Sequence, residues 1–300
     1  MRTSFFEYLS IRSLAVVCAV LLAVLPAHAQ NTMVRLHTTQ GPIDVALLDT
    51  EAPLTVANFL AYVRGGDYTN VFFHRSVRLP APSLAPFVIQ AGGFKWTDTG
   101  CCSQVTTRGN VRNEYSATRS NLRGTVAMAK VGGNPDSATS QWFVNLGDNS
   151  ANLDNQNGGF TVFARVTAPG MTTADQIAAL PVVNAGTNFA ELPVADWKTN
   201  TQIARANVVR LTAVTEFPPN QTGSDRIFNF LEAAYTSYLG SAASSAGEVA
   251  GYVYRHYAAI DSYVASKDGR VWYYAPNLRN EIIDIGSVSD LLSVAQSAGY

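Results

Sequence analysis

Between Val34 and Thr215 apolar residues recur at every second position in short runs, and the runs stop at Gly, Pro, Asn or Asp. Val34 and Leu36, then Ile43, Val45 and Leu47, set the pattern, with Gln40-Gly41-Pro42 as a turn between them. A period of two places alternate side chains on one face, so these are half-buried strands joined by turns. Runs at Val71–Phe73, Phe87–Gln90, Thr125–Ala129, Trp142–Leu146, Thr161–Val166 and Asn207–Thr215 read the same way. Two helices interrupt them. Val56, Phe59, Leu60 and Val63 fall at i, i+3, i+4 and i+7, after Pro53 and before Gly65-Gly66. Thr173-Ala174-Asp175-Gln176 has the form of a capping box opening a second helix, which Pro181 ends. About eight strands in an antiparallel rhythm with two helices predict a mainly β fold, a closed barrel capped by the helices. Closure would remove the exposed sheet edges.

Composition fits a packed chain. Hydrophobic residues make up 47% of 300 and charged residues 14%, which excludes general disorder. A net charge of −1 without long like-charge runs removes the electrostatic basis for nucleic-acid binding. At the N-terminus, Arg2 and Arg12 flank a polar start, Leu14–Leu25 is apolar, and Ala27-His28-Ala29 is a small-x-small cleavage pattern. That layout predicts a signal peptide over residues 1–29, too short to span a bilayer, and an exported protein with no stable membrane insertion after cleavage. Without that segment only Cys101 and Cys102 remain, as two thiols or as a vicinal disulfide. His37, His74 and His256 are scattered, and no G-x-S-x-G, P-loop or H-E-x-x-H pattern occurs. No metal site or cofactor is expected.

At Phe217–Ser224 the composition changes to that of a linker. Beyond it, a helix capped at Ser224 and ending at Gly240 leads to strands at Tyr252–Tyr257, Tyr263–Ala265 and Val271–Tyr274, with Asp268-Gly269 as a turn. Ile282–Ile285 is a further strand and Ser289–Ala295 a last helix. The predicted organisation is a main domain at 30–216, a linker at 217–224 and a small α+β module at 225–300. The module's aromatics either pack a small core or form a binding face for an unknown partner.

The chemistry concentrates in ordered blocks. Phe73-His74-Arg75 comes first, then Phe87-Val88-Ile89-Gln90-Ala91-Gly92-Gly93, then Gly124–Ala129 ending in Met128-Ala129. Ser140-Gln141-Trp142-Phe143, Leu153-Asp154 and Phe160–Phe163 follow. In this order, over about residues 32–215, the sequence resembles the cyclophilin family of peptidyl-prolyl cis-trans isomerases. The resemblance implies an eight-stranded antiparallel barrel with two helices. It implies that Arg75 is the catalytic arginine. It places His74, Phe87, Val88, Gln90, Phe143, Leu153 and Phe160 in the substrate pocket, with Gln141, Ala129 and Lys130 in the groove and on its rim. The implied substrates are proline-containing unfolded or flexible polypeptides, and the implied role is folding of exported proteins, in the periplasm or after secretion.

The residue types suit that reaction. Isomerisation needs no nucleophile, metal or cofactor, only tighter binding of the twisted amide than of either planar form. The prolyl nitrogen accepts a hydrogen bond better once twisted, and a guanidinium stays charged at any relevant pH. The alternative is a peptide-holding or chaperone module with incidental turnover. Three departures from the family pattern stand out. The connection from Ser76 to Pro86 is long and Pro-rich. Asn152 replaces a Trp that contacts cyclosporin A in many eukaryotic members, which implies weak inhibition. Ala91 and Phe160 replace the commoner Gly and His.

Overall fold

A computed structural model of the chain describes residues 31–240 and 242–300, so the expected signal peptide lies outside the described residues. Residues 31–300 form one compact unit. Its strands are β1 (Met33–Thr38), β2 (Gly41–Leu47), β3 (Arg75–Arg78), β4 (Pro86–Ala91), β5 (Phe94–Thr97) and β6 (Gly100–Gln104). They continue with β7 (Thr125–Met128), β8 (Trp142–Asn145), β9 (Val162–Val166), β10 (Val182–Val183), β11 (Leu192–Pro193) and β12 (Leu211–Glu216). The C-terminal part adds β13 (Ser245–Val249), β14 (Tyr252–Tyr257), β15 (Ser262–Lys267), β16 (Arg270–Ala275) and β17 (Arg279–Ser287). The helices are α1 (Pro53–Arg64), α2 (Ser150–Leu153), α3 (Ala168–Ala179), α4 (Gly223–Ala234), α5 (Thr236–Leu239) and α6 (Val288–Ser297).

Eight strands make one antiparallel sheet in the order β12-β1-β2-β9-β7-β8-β4-β3. The expected closed barrel is corrected here: the end strands β12 and β3 do not pair, and the sheet is open and curled. The reason lies in Val71–Phe73, expected as a strand. This segment bonds in several directions instead of building a ladder. The Phe72 amide donates to Phe94 (3.1 Å), the Phe73 amide to Val209 (2.9 Å), and the Val71 carbonyl accepts from Leu211 (2.7 Å). Single bonds thus span the gap where a ladder would have closed it.

One face of the sheet holds the main core. Ile43, Val45, Ile89, Val126, Val144 and Phe163 meet Val56, Phe59 and Leu60 of α1 and Ala174 and Ile177 of α3. Trp142, fully buried, meets Phe59, Tyr68 and Phe73 edge-on at 5.8 to 6.4 Å between ring centroids, the geometry that ring quadrupoles favour. α1 starts with its proline in the first turn, as expected. α3 begins earlier than the Thr173 pattern suggested. Its cap is Thr167, whose hydroxyl accepts the Gly170 amide at 3.4 Å. Pro169 and Gly170 resemble breakers in sequence, yet a first-turn proline loses no helical hydrogen bond.

β13 to β17 form a five-stranded antiparallel sheet in chain order. Its helix is capped by Thr222, in a capping box with Asp225, rather than by Ser224. The sheet divides the module's aromatics. Tyr257 and Tyr273 join the second core with Phe228, Val264 and Val271. His256, Tyr263 and Tyr274 form a row across three strands on the other face, with His256 and Tyr263 stacked at 4.3 Å. A core role and an outer aromatic face therefore coexist.

The segment expected as a linker is tied down. The Phe217 amide donates to Met33, and its ring lies 5.2 Å from the Arg35 guanidinium. Arg35 is 2% exposed and forks onto Asp44, Nε to Oδ1 at 2.8 Å and Nη2 to Oδ2 at 2.7 Å. It also donates to Glu232 and to the Asn229 carbonyl of α4. Tyr300 donates to Asp44, and Arg255 and Tyr257 donate to Glu232 at 3.0 and 3.1 Å. Burial works against the Arg35 charge, but the two carboxylates outweigh it and raise its pKa. Burial, then the Asp44 charge, raises the Tyr300 phenol likewise.

Candidate active site

Strand register builds the site. Ala127 of β7 stands opposite Phe143 of β8, Phe143 opposite Gln90 of β4, and Gln90 opposite Arg75 of β3. Directly opposed residues share a face. The alternation that sends Ile89, Ala91, Trp142 and Val144 into the main core therefore sends Val88, Gln90, Phe143 and Arg75 to the other side. There Val88, Ala127, Phe143, Leu153 and Val162 make a separate apolar cluster, with Phe87, Ala129 and Phe160 against it.

A cavity of about 490 Å³ opens over this cluster. Nine of the residues expected from the sequence line it: Arg75, Phe87, Val88, Gln90, Ala129, Lys130, Phe143, Leu153 and Phe160. The other two, His74 and Gln141, line an adjoining cavity of about 260 Å³ that shares Arg75 and Gln90. Phe143 and Phe160 meet edge-on at 5.7 Å and form an aromatic corner. Lys130 sits 4.7 Å from the Phe160 ring and donates to the carbonyls of Asn157 (2.8 Å) and Gly159 (2.6 Å). Burial lowers its pKa.

Buried amides hold the loop that carries Leu153 and Phe160. Asn149 donates to the Phe87 carbonyl and to Asn145, and Asn145 donates to Asn121. Asn121 in turn donates to Asp154 and to the Phe160 carbonyl. This Asn- and Asp-rich stretch is thus structural, and among the described residues no acid, His and Cys cluster suits a metal.

The polar side of the site is held as tightly. Gln90 Nε2 donates to Gln141 Oε1 at 2.8 Å. The two glycines after Ala91 permit this approach. A Cβ on Gly92 would lie 2.3 Å from the Ser140 carbonyl oxygen, and one on Gly93 2.8 Å from the Gln141 amide carbon. His74 is 4% exposed, its ring lies edge-on to Phe94 at 5.0 Å, and its Nδ1 makes no hydrogen bond among the described residues. Burial lowers its pKa from the ordinary 6.5 to about 4, so the ring is neutral at pH 7.

Sequence reasoning missed Glu191. Its carbonyl accepts the Ser76 amide at 2.8 Å, and its carboxylate accepts Arg75 Nε at 2.6 Å. The clamp leaves the two terminal guanidinium nitrogens without a protein partner among the described residues. No local pattern announces Glu191, which lies more than a hundred positions from Arg75. Arg78, Leu79 and Pro80, from the long connection after Arg75, also line the larger cavity, as does Asn152. Elsewhere Cys101 and Cys102 are joined in a vicinal disulfide. It lines a third cavity, of about 660 Å³, with Trp96, Phe189 and Trp197.

The sequence model described as cyclophilin type peptidyl-prolyl cis-trans isomerase matches residues 33–206, more than half of the chain. The chain belongs to this family. A relative from Acinetobacter baylyi, named peptidyl-prolyl cis-trans isomerase, is 38% identical over 165 residues, 54% of this chain and 81% of that protein. Peptidyl-prolyl cis-trans isomerase A of Dickeya dadantii is 40% identical over 184 residues, 59% of this chain and 90% of that one. A solved cyclophilin-type isomerase from Cryptosporidium parvum has 19% identity and a TM-score of 0.46, over 64% of this chain and 99% of that one. The cyclophilin match ends before α4.

Proposed function

We propose that this chain, an isomerase by family, turns X-Pro bonds in exported polypeptides with Arg75 as its electrostatic catalyst. The observation that carries the reading is the row Arg75–Gln90–Phe143 across three adjoining strands, above an apolar cavity. The barrier to amide rotation is about 18–20 kcal/mol because of partial double-bond character. Phe87, Phe143, Leu153 and Phe160 grip the pyrrolidine ring. Gln90 and Gln141, each fixed by the other, hold the substrate backbone. Rotation then carries the acyl side past Arg75, and the twisted prolyl nitrogen takes a hydrogen bond from a terminal guanidinium nitrogen. That bond exists only on the way over the barrier, so it speeds the reaction instead of merely tightening binding. A thousandfold acceleration needs about 4 kcal/mol of such preference. A charge-assisted bond beside apolar walls is of that order.

The apolar run and cleavage pattern at residues 14–29 support export, and we propose the periplasm as the compartment, with secretion as the alternative. We propose residues 225–300 as an accessory module following the 217–224 connection. The test of the reaction is isomerisation of an X-Pro peptide by the chain without residues 1–29, beside Arg75→Ala. Catalysis that collapses in the variant supports the reading. A folded wild type without catalysis leaves a peptide-holding module.

A further inference from the structure

The charges around the proline cavity are unbalanced. Its wall carries three cations, Arg75, Arg78 and Lys130, and no carboxylate. Arg75 is offset by Glu191, which belongs to the adjoining cavity. Arg78 and Lys130 have no such partner: among the described residues, neither makes an ion pair with a carboxylate.

Both are nevertheless held in place, by backbone carbonyls. Arg78 Nη1 donates to Leu84 at 3.3 Å, and Nη2 to Ala178 in the last turn of α3 at 3.1 Å. Lys130 is held by Asn157 and Gly159 and by the Phe160 ring. A carbonyl, or a helix end worth about half a charge, orients a cation without neutralising it. Asp136 is the acid whose charge reaches Lys130, but it accepts the Asn113 amide at 2.7 Å and is not part of the cavity wall.

Two oriented cations thus stand beside an apolar floor. With the proline ring on that floor, its neighbours in an extended substrate lie about 3.3 Å further along the chain for each residue. Register sets the two cations on opposite sides of the Arg75–Gln90–Phe143–Ala127 row: Arg78 lies toward Pro86, and Lys130 lies beyond Met128, which pairs with Trp142.

We propose that the enzyme prefers X-Pro sites with an acidic side chain next to the proline, received by Arg78 on one side of it or by Lys130 on the other, and disfavours basic neighbours. The inference rests on the isomerase reading above. It needs no new chemistry, since a carboxylate completes the coordination of cations that carbonyls already aim.

The test uses peptides with Glu, Gln or Lys immediately before the proline, and a second set with the same three immediately after it. In at least one set, kcat/KM for the Glu peptide should exceed that for the Lys peptide by about tenfold at low ionic strength, which corresponds to about 1.4 kcal/mol. The spread should shrink near 0.5 M salt, where screening acts over a few ångströms. In Arg78→Gln/Lys130→Gln the ratio should fall to about twofold or less. It is read within each protein, so any loss common to all peptides cancels. A ratio near one in wild type for both sets overturns the proposal, as does a ratio that survives the double substitution. Turnover without discrimination sinks the preference alone. Absence of all turnover sinks the isomerase reading, and the Kd values of the same peptides then decide the preference, equal Kd for Glu and Lys overturning it.

Discussion

Two arginines of this chain face carboxylates in opposite settings. Arg35, 2% exposed, satisfies Asp44, Glu232 and a helix carbonyl, and joins the main sheet to α4 of the C-terminal part. Arg75, with its side chain 48% exposed, gives Nε to Glu191 and nothing else among the described residues. The first guanidinium is used up by architecture. The second is oriented but unfinished, with hydrogen-bond capacity left for something that is not part of the protein. Burial and completeness mark a structural charge, and orientation with spare capacity marks a working one.

The sharpest way to break this comparison is to remove Arg35. Arg35→Leu leaves Asp44 and Glu232 buried without their main partner, so unfolding in denaturant should show a loss of about 3–5 kcal/mol. A midpoint unchanged from wild type would mean that the network carries no structural weight. Arg75→Ala should do the opposite. Its exposed pair is worth about 1 kcal/mol or less to stability, while on the proposed mechanism kcat should fall about 100- to 1000-fold with loss of the guanidinium donor. An equal loss of stability in the two variants would erase the distinction.

His74 sharpens the contrast from the side of burial. Its folded pKa is about 4 against an ordinary 6.5. Between those values the unfolded chain binds a proton that the native state refuses, so stability falls as pH drops from 6.5 toward 4 and levels off below. The full effect is about 3 kcal/mol. Unfolding of wild type and His74→Gln at pH 7 and pH 4.5 measures it, and parallel losses in both proteins would assign the slope to other groups.

The smallest effect belongs to Glu191. Glu191→Ala should lower kcat about threefold to tenfold with KM nearly constant, because a looser guanidinium still binds but aims less well. The same substitution in an Arg75→Ala background should change nothing further, and additive losses would show that Glu191 acts elsewhere.

Much of the site was legible in the sequence. Phe73-His74-Arg75, the Phe87–Gln90 run and Phe143 are local blocks on strands, and the period of two already separates Gln90 from Ile89. The buried asparagines under Leu153 and Phe160 carry no local signal, since Asn145 and Asn121 become partners through folding alone. Pro169-Gly170 concealed the start of α3 because the local signal for a break is also the signal for a first turn. The barrel was legible as a strand count, but its opening was not, because Val71–Phe73 has strand composition and loses its ladder to three competing partners.

The sequence by itself determined the strand rhythm, the family and the identity of most residues around the candidate site, because periodicity and motif order are properties of neighbours along the chain. Tertiary structure alone decided that the sheet stays open and that Glu191 holds Arg75. It also decided that Arg35 is spent on Asp44 and Glu232 while Arg78 and Lys130 keep their charge at the cavity. Each of these outcomes is a competition between groups far apart in sequence, settled by distance, burial and the partners already taken.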